Sequence, residues 1–183
     1  MRITYLTALL LGGYIVGPSV LAEEHRHHGP HEHGSGQLNV ALEKNTLEIE
    51  LSMPAMNIVG FEYLPNNPDE RSQVQQAADK LRDGQRIFAP SAAARCTLFT
   101  ADVKSKLLGN SDDEEDGGHD GGEHADFDLS YTFNCSEPSQ LVSLNLALFE
   151  LFPGTKHLHA QVITPDGQSA DELNSEHSTL RLK

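Results

Sequence analysis

The stretch QLNVALEKNTLEIELSM, residues 37–53, decides the fold of this chain. Apolar and polar residues alternate on both sides of Lys44-Asn45, which is typical of two half-buried strands joined by a two-residue turn with positive φ at Asn45. Pairing Glu43 with Thr46 brings all six alternating apolar side chains to one face. The three cross-strand pairs are Leu42 with Leu47, Val40 with Ile49, and Leu38 with Leu51. The pattern therefore predicts an antiparallel hairpin with one buried face.

The segment after the hairpin predicts one substantial helix. Asn67-Pro68-Asp69-Glu70 has an N-cap residue, a proline at the first helical position and a glutamate in the first turn. Apolar residues follow at helical spacing, and Gly84 stands where a helix C-terminus is expected.

Alternation returns after the helix and continues to the end of the chain. Strands are predicted at 94–107, 125–135, 141–152 and 157–164, with a last strand that includes Leu180 and Leu182. Turns are expected at Pro153-Gly154 and at 165–167. The predicted fold class is mainly β (α+β): an antiparallel sheet or sandwich with one helix, one disulfide and a protruding His/Asp/Glu-rich loop.

The two cysteines, Cys96 and Cys135, predict that disulfide, because an even number of cysteines in an exported chain favours a structural bridge. A metal or redox role is disfavoured because the two lie far apart and form no CxxC motif. If they face each other in an antiparallel pair, Leu107 lies opposite His124. The acidic segment between the two strands then forms the loop, for which we take the bounds 108–124.

The N-terminus predicts export. Residues 1–22 have a positive start, an apolar core and the small-residue pattern of a signal peptide, with cleavage after Ala22. The apolar run is shorter than the roughly 20 residues of a membrane span. We therefore expect a periplasmic protein with a flexible His-rich arm at 23–36 and a single β-rich domain at 37–183. Its 27 acidic against 13 basic residues argue against nucleic acid as a partner.

The predicted arm is rich in metal ligands. Its five histidines are His25, His27, His28, His31 and His33, with carboxylates among them. Imidazole nitrogen binds zinc, copper and nickel, and HxH spacing lets two rings converge in an extended chain. A solubilising polar tail is the competing interpretation, and we favour metal binding, with Zn²⁺ as the ion.

The hairpin register also predicts where the last two of these histidines lie. Extending the pairing backwards from Leu38 brings His31 and His33 close to residues 57–62, where Glu62 can complete a site. Because His31 and His33 adjoin a strand, we expect them to form the strongest site and His25, His27 and His28 to bind more weakly. Met53 and Met56 are nearby and would favour Cu(I) as thioether ligands, which keeps copper as the second choice.

The acidic loop contains a second group of candidate ligands. These are His119, Asp120, Glu123 and His124. When Asp112 is counted as position one, the acidic residues are spaced as in an EF-hand calcium loop. The glutamate at the third position and the predicted strands on both sides argue against a calcium site. A weak metal-collecting loop and a solvated run of charges remain as the two interpretations.

His157 and His159 alternate on a predicted strand, so their rings share one face. They are a candidate zinc pair, although we favour a structural role for them on the surface or in the core.

Catalysis has little support, since the chain has no HExxH, no GxSxG and no cysteine available as a nucleophile. A zinc hydrolase needs three fixed ligands, an open position and a general base. We therefore expect no enzymatic activity. Three other functions stay open: copper or nickel handling, protein interaction at the cell envelope and, less favoured, a zinc-dependent hydrolase.

The chain resembles the ZrgA-like family of zinc-regulated periplasmic proteins over nearly the whole of its predicted mature length. The segments that carry the resemblance are HEHG at 31–34, QLNV at 37–40, LEI at 47–49, PAMNIVGFE at 54–62, ARC at 94–96, HADF at 124–127, YTFNC at 131–135, FPG at 152–154 and TPDGQ at 164–168. The family usually continues GFE with His, whereas this chain has Tyr63. The resemblance implies zinc binding in the periplasm and assistance to an ABC-type zinc importer through its solute-binding protein.

Overall fold

The computed structural model describes residues 32–109 and 124–183. Its strands are β1 Ser35–Glu43, β2 Thr46–Pro54, β3 Phe88–Pro90, β4 Cys96–Lys104, β5 Asp126–Cys135, β6 Ser143–Leu146, β7 His157–Thr164, β8 Gly167–Leu173 and β9 Thr179–Arg181. Its α-helices are α1 Ala55–Val59, α2 Pro68–Arg82, α3 Gly84–Ile87 and α4 Leu148–Leu151. The predicted signal peptide and the histidines His25, His27, His28 and His31 lie outside the described residues.

The predicted hairpin lies at the centre of a six-stranded sheet of order β4-β5-β2-β1-β7-β8. Its register is confirmed: Leu38 faces Leu51, Val40 faces Ile49, and Leu42 faces Leu47. All the strand pairs of this sheet are antiparallel except β1–β7, which is parallel. The turn differs in one detail, since Lys44 rather than Asn45 has the positive φ, at 56°. The strand β1 also begins two residues before the predicted domain start, at Ser35.

The core lies on one face of this sheet. The apolar residues of β1, β2, β5 and β7 alternate with exposed residues and are nearly all buried. Helix α2 and a second sheet of order β3-β6-β9 contribute their buried residues to the same hydrophobic cluster. The mainly β fold class with one disulfide is therefore confirmed. None of the helices within 32–109 and 124–183 is long and apolar enough to span a membrane.

Helix α2 begins as its sequence predicts. The side chain of Asn67 accepts a hydrogen bond from Glu70 N at 2.9 Å, and Pro68 is the first helical residue. Gly84 does not end this helix, because α2 stops at Arg82 and Gly84 opens α3. The reason for glycine there is packing: a Cβ on Gly84 would lie 2.5 Å from Cδ1 of Tyr131. The buried hydroxyl of Tyr131 donates to Leu81 O at 2.6 Å, which satisfies a carbonyl at the end of α2.

The disulfide forms as predicted between Cys96 and Cys135, which face each other in the β4–β5 pair. The predicted register beyond it is wrong. A β-bulge between Leu98 and Thr100 shifts the pairing by one residue, and β4 ends at Lys104. Leu107 therefore does not pair with His124 and lies in a short 3-10 turn, Lys106–Leu108.

The C-terminal part departs from the predicted strands in two places. The predicted strand at 141–152 is β6 followed by the single turn α4, because the alternation of its first half gives way to the apolar run 146–149, which has no period that distinguishes strand from helix. The edge strand β8 is mostly exposed, so its sequence lacks the apolar alternation that would have predicted it. The turns at Pro153-Gly154 and Pro165-Asp166 form as expected.

Candidate metal centre

Three side chains from distant parts of the sequence meet at one end of the large sheet. Glu62 Oε1 lies 3.3 Å from His33 Nε2, and Glu62 Oε2 lies 2.5 Å from His124 Nδ1. One ligand atom from each side chain lies within 4.8 Å of the other two. Glu62 is 8% exposed and each histidine is 51% exposed. A buried carboxylate therefore stands between two imidazoles that solvent can reach.

His33 is held by a tight turn that leads into β1. Ser35 N donates to Glu32 O at 3.0 Å, and Gly34 has φ 91°, as the third residue of a type II turn requires. Gly34 O in turn accepts from Lys156 N at 2.7 Å and from His157 N at 3.0 Å. The backbone beside His33 is thus attached to the start of β7.

The buried side chain of Asn57 fastens the same turn from the other side. Its Oδ1 accepts from Gly34 N at 2.7 Å, and its Nδ2 donates to Ser35 O at 2.9 Å. The side chain is 4% exposed, so both bonds are protected from water. Gly154 packs directly on this residue, since a Cβ there would overlap Asn57 O. Asn57 therefore connects α1 to the turn that presents His33.

Glu62 reaches the site because α1 is short and ends sharply. Gly60 has φ 82° and donates its N–H to Met56 O, which closes the helix in a left-handed C-cap. The next residue, Phe61, is buried, and Gln73 Nε2 binds Val59 O at 2.7 Å. The reversal of the chain and these anchors direct Glu62 towards the two histidines.

His124 is positioned by the start of β5. The neighbouring Ala125 is buried, and its carbonyl accepts from Ala55 N at 2.8 Å. In the next register position Asp126 pairs with Pro54, the last residue of β2. The segment that carries His124 is therefore attached at the junction of β2 and α1. Glu62 follows α1 in the chain, so the same junction positions both side chains.

The electrostatics of the site keep Glu62 ionised. Burial raises the pKa of this carboxyl, but the contacts with His124 and then His33, together with their charge, outweigh burial and leave the pKa below its ordinary value. Glu62 is therefore an anion at neutral pH, and it loses that charge only as the pH falls through this lowered value. A desolvated anion beside two imidazoles attracts a cation.

The three groups fit a zinc ion. Zinc takes imidazole nitrogen and carboxylate oxygen at about 2.0–2.2 Å, so tetrahedral ligand atoms lie roughly 3.3 Å apart. The Glu62–His33 separation of 3.3 Å already matches that value. Glu62 Oε1 is buried, and its contact with His33 Nε2 lacks the geometry of a hydrogen bond, which leaves a lone pair for an ion. This His₂Glu set provides three ligands and leaves one coordination position for another group.

Replacing Asn57 by alanine is expected to weaken zinc binding by roughly tenfold or more, as loss of an outer-shell partner does. The variant removes the two bonds that hold the turn beside His33, and it leaves a buried N–H and a carbonyl without those partners. We expect a loss of about 1–3 kcal/mol in the free energy of unfolding. Zinc titration calorimetry and thermal denaturation of the same variant measure the two effects.

The matched control is Val162→Ala, a buried residue of β7 at the other end of the strand from His157. It should also lower stability, by about 1 kcal/mol or more, but leave the affinity for zinc unchanged. If Asn57→Ala loses stability and keeps the wild-type affinity, Asn57 does not position His33.

The structure brings together some of the predicted ligands, and others lie outside the residues that it describes. His33 and Glu62 lie side by side, as the hairpin register predicts, whereas His31, His119, Asp120 and Glu123 fall outside the described residues. The sequence pattern assigns His124 to the acidic loop, but its side chain lies against Glu62. His124 is already a candidate ligand from the sequence, and its position next to the strand predicted at 125–135 is the signal that could have placed it at the sheet rather than in the loop. Asn57, a polar residue within an apolar stretch, holds the turn beside His33, and the sequence patterns did not predict that contact.

Among the described residues, His157, His177 and Tyr63 have partners outside this cluster. His157 contacts Glu172 at 3.0 Å, and His177 contacts Asp171 at 3.2 Å. Tyr63 is half-exposed and donates to Glu70 Oε1 at 3.2 Å, so its hydroxyl is directed to the start of α2.

Comparison with known proteins also indicates a role connected with zinc. A family model described as ZrgA family zinc uptake protein matches residues 30–182. The match covers most of the chain and includes His33, Glu62 and His124. No curated protein matches the chain closely enough to count as a relative.

Proposed function

This chain belongs to the ZrgA family of zinc uptake proteins, and from that premise we propose that it is a non-enzymatic zinc chaperone or buffer of the periplasm. It binds Zn²⁺ through His33, Glu62 and His124. It then passes the ion to the solute-binding protein of an ABC-type zinc importer.

The observation that carries this proposal is the buried carboxylate between two half-exposed imidazoles. A protein that must release its ion to a partner needs ligands that the partner can approach. Both histidines meet that need, because half of each side chain faces solvent. Glu62, held by α1 and Phe61, supplies the charge that retains the ion until transfer.

The exported location and the additional histidines belong to the same proposal. A signal peptide at 1–22 directs the protein to the periplasm. His25, His27, His28 and His31 in the arm, with His119, Asp120 and Glu123 in the acidic loop, add weaker sites that raise the local zinc concentration. The net charge of −14 favours cation capture over the whole surface.

Copper is the second candidate for the ion, and the surroundings of the site favour zinc over Cu(I). Soft thioether ligands select Cu(I), and Met53 is the methionine that the sequence places in the core strand. It is fully buried, and Thr155 Oγ1 donates to its sulfur at 3.6 Å. Met53 therefore packs in the core, and the cluster of His33, Glu62 and His124 consists of nitrogen and oxygen donors.

A zinc hydrolase would use a donor set of the same kind. It also needs a general base beside the metal-bound water. Glu62, the carboxylate that contacts both histidines, is itself a ligand in our assignment and is not available for that role. This is why we propose binding and transfer rather than catalysis.

Zinc transfer is the decisive test of this function. The zinc-loaded protein is mixed with the metal-free solute-binding protein of the importer from the same bacterium, and the zinc on each protein is measured after rapid separation. We expect transfer faster than the spontaneous loss of zinc to a chelator. Transfer no faster than that loss, or failure of the protein to bind zinc at neutral pH, contradicts the proposal.

A further inference from the structure

A second group of metal-ligating side chains lies on the exposed face of the large sheet. His157 and His159 alternate along β7, and both side chains are exposed. The neighbouring strand β8 places Glu172 directly opposite His159, and Glu172 Oε1 lies 3.0 Å from His157 Nδ1. Two histidines and one carboxylate therefore share a patch that spans two adjacent strands.

The spacing of these three residues suits one ion. Directly opposed residues of antiparallel strands have Cβ atoms about 5 Å apart, and alternate residues of one strand are separated by roughly 6.6 Å. Imidazole and carboxylate side chains extend far enough from these positions to meet at a zinc ion with bonds of about 2 Å. His157 and Glu172 are already in contact, and the exposed ring of His159 has to turn towards them to complete the site.

Stabilisation of the fold does not account for this arrangement. His157 is 51% exposed and Glu172 is 59% exposed, and a pair of this kind contributes about 0–1 kcal/mol. The neighbouring cation does not compete for the carboxylate, since Lys156 Nζ donates to Pro153 O at 2.5 Å. On the side of β1, His159 faces the neutral residue Gln37.

We propose that His157, His159 and Glu172 form a second, solvent-open site for a borderline divalent cation such as Zn²⁺. It binds more weakly than the first site, because its ligands are exposed and one of them must become ordered on binding. The site goes beyond the proposed function, which requires only His33, Glu62 and His124, and it stands on residues that the first site does not use.

The second site is connected to the first through the backbone. His157 N donates to the carbonyl of Gly34, the residue that follows His33. The starts of β1 and β7 lie side by side in parallel, so both groups of ligands occupy the same end of the sheet. An ion collected at His157 and His159 is therefore released next to the turn that carries His33, as expected of a loading site.

Nuclear magnetic resonance of the ¹⁵N-labelled full chain during titration with zinc chloride tests this site locally. The backbone amides of 159–161 and 170–173 report on it, whereas the amide of His157 also responds to the first site because it donates to Gly34 O. We expect the shifts of 159–161 and 170–173 to change in a second phase, after the resonances beside Glu62 have reached saturation. Amides of these two segments that do not respond to excess zinc would overturn the proposal.

Substitutions show which residues bind the zinc that causes the second phase of shift changes. His157→Ala with His159→Ala should weaken that phase by roughly tenfold or more, and Glu172→Gln should weaken it to a smaller extent. His177→Ala is the matched control, because His177 is also about half-exposed and contacts a carboxylate of β8, Asp171, without a second histidine. It should leave the phase unchanged. Persistence of the phase in the double variant, or its loss in the control, refutes the assignment.

Two further measurements keep the result interpretable. The double variant is checked by thermal denaturation, and His157→Gln with His159→Gln replaces it if its melting temperature falls. The titration is repeated with Glu62→Gln, in which the first site is impaired. The β7–β8 phase should remain there, so that a failure of the first site and a failure of the second are distinguishable. If Glu62→Gln abolishes both, the second site does not exist independently.

Discussion

Replacing Glu62 by glutamine is expected to weaken the tightest zinc binding of this protein by about 100-fold or more, beyond the loss caused by removing an outer-shell partner. Glutamine has nearly the same shape as glutamate, but it has no charge and offers a weaker oxygen ligand. The carboxylate is the buried member of the cluster and contacts both histidines, at 3.3 and 2.5 Å. Calorimetric titration with zinc at neutral pH measures the change in affinity.

The control for this variant is Glu70→Gln. Glu70 is a nearby carboxylate whose pKa is also lowered, chiefly by the hydrogen bond from Asn66 N, but it binds Tyr63 and neither histidine. Its replacement should leave zinc affinity unchanged. If both variants lose affinity equally, a general loss of negative charge rather than ligation by Glu62 accounts for the effect. If neither does, the site is elsewhere.

The histidine variants divide the binding between the structured site and the arm. His33→Ala and His124→Ala should each weaken the tight site about as strongly as Glu62→Gln. Joint replacement of His25, His27 and His28 should remove only weaker binding, because these residues are farther from the first strand, and more backbone entropy is lost when a longer segment closes on an ion. Wild-type affinity in the single variants and a loss in the triple variant would place the tight site in the arm.

Joint replacement of Cys96 and Cys135 by serine is expected to lower the free energy of unfolding by about 4 kcal/mol, from the entropy of a loop whose ends are 39 residues apart. For a chain of this size such a loss lowers the melting temperature by about 10 °C or more. Denaturation of the wild-type protein with and without reductant, beside the variant, measures this effect.

The same variant should retain the zinc site at temperatures where it is folded. His124 is held by the bond from Ala55 N to Ala125 O and by the pairing of β5 with β2, neither of which involves β4. The disulfide joins the other end of β5 to the edge strand. A large loss of zinc affinity in the folded variant would show that β4 contributes to the site, and an unchanged melting temperature would contradict the stabilising role of the bridge.

Local patterns in the sequence determined the central hairpin, the helix α2 and the disulfide. In each case the information lies in residues close together in the sequence or in the number of cysteines. A strand period of two sets which residues face the core, and an N-cap and a proline set where a helix begins. Two cysteines have only each other as possible disulfide partners within the chain. The hairpin register also placed His33 beside the segment that contains Glu62, because that inference requires only two neighbouring strands.

Contacts between distant segments decided the rest, because no local pattern encodes them. Because of the bulge near Phe99, the strand register predicted from the disulfide does not extend to His124. The parallel pairing of β1 with β7 brought His157 beside Gly34, and β8 placed Glu172 opposite His159. His124 meets Glu62 only because the start of β5 pairs with the end of β2, where α1 begins. A metal centre needs several ligand atoms within a few ångströms, and that convergence is a property of the packed sheet rather than of any one segment.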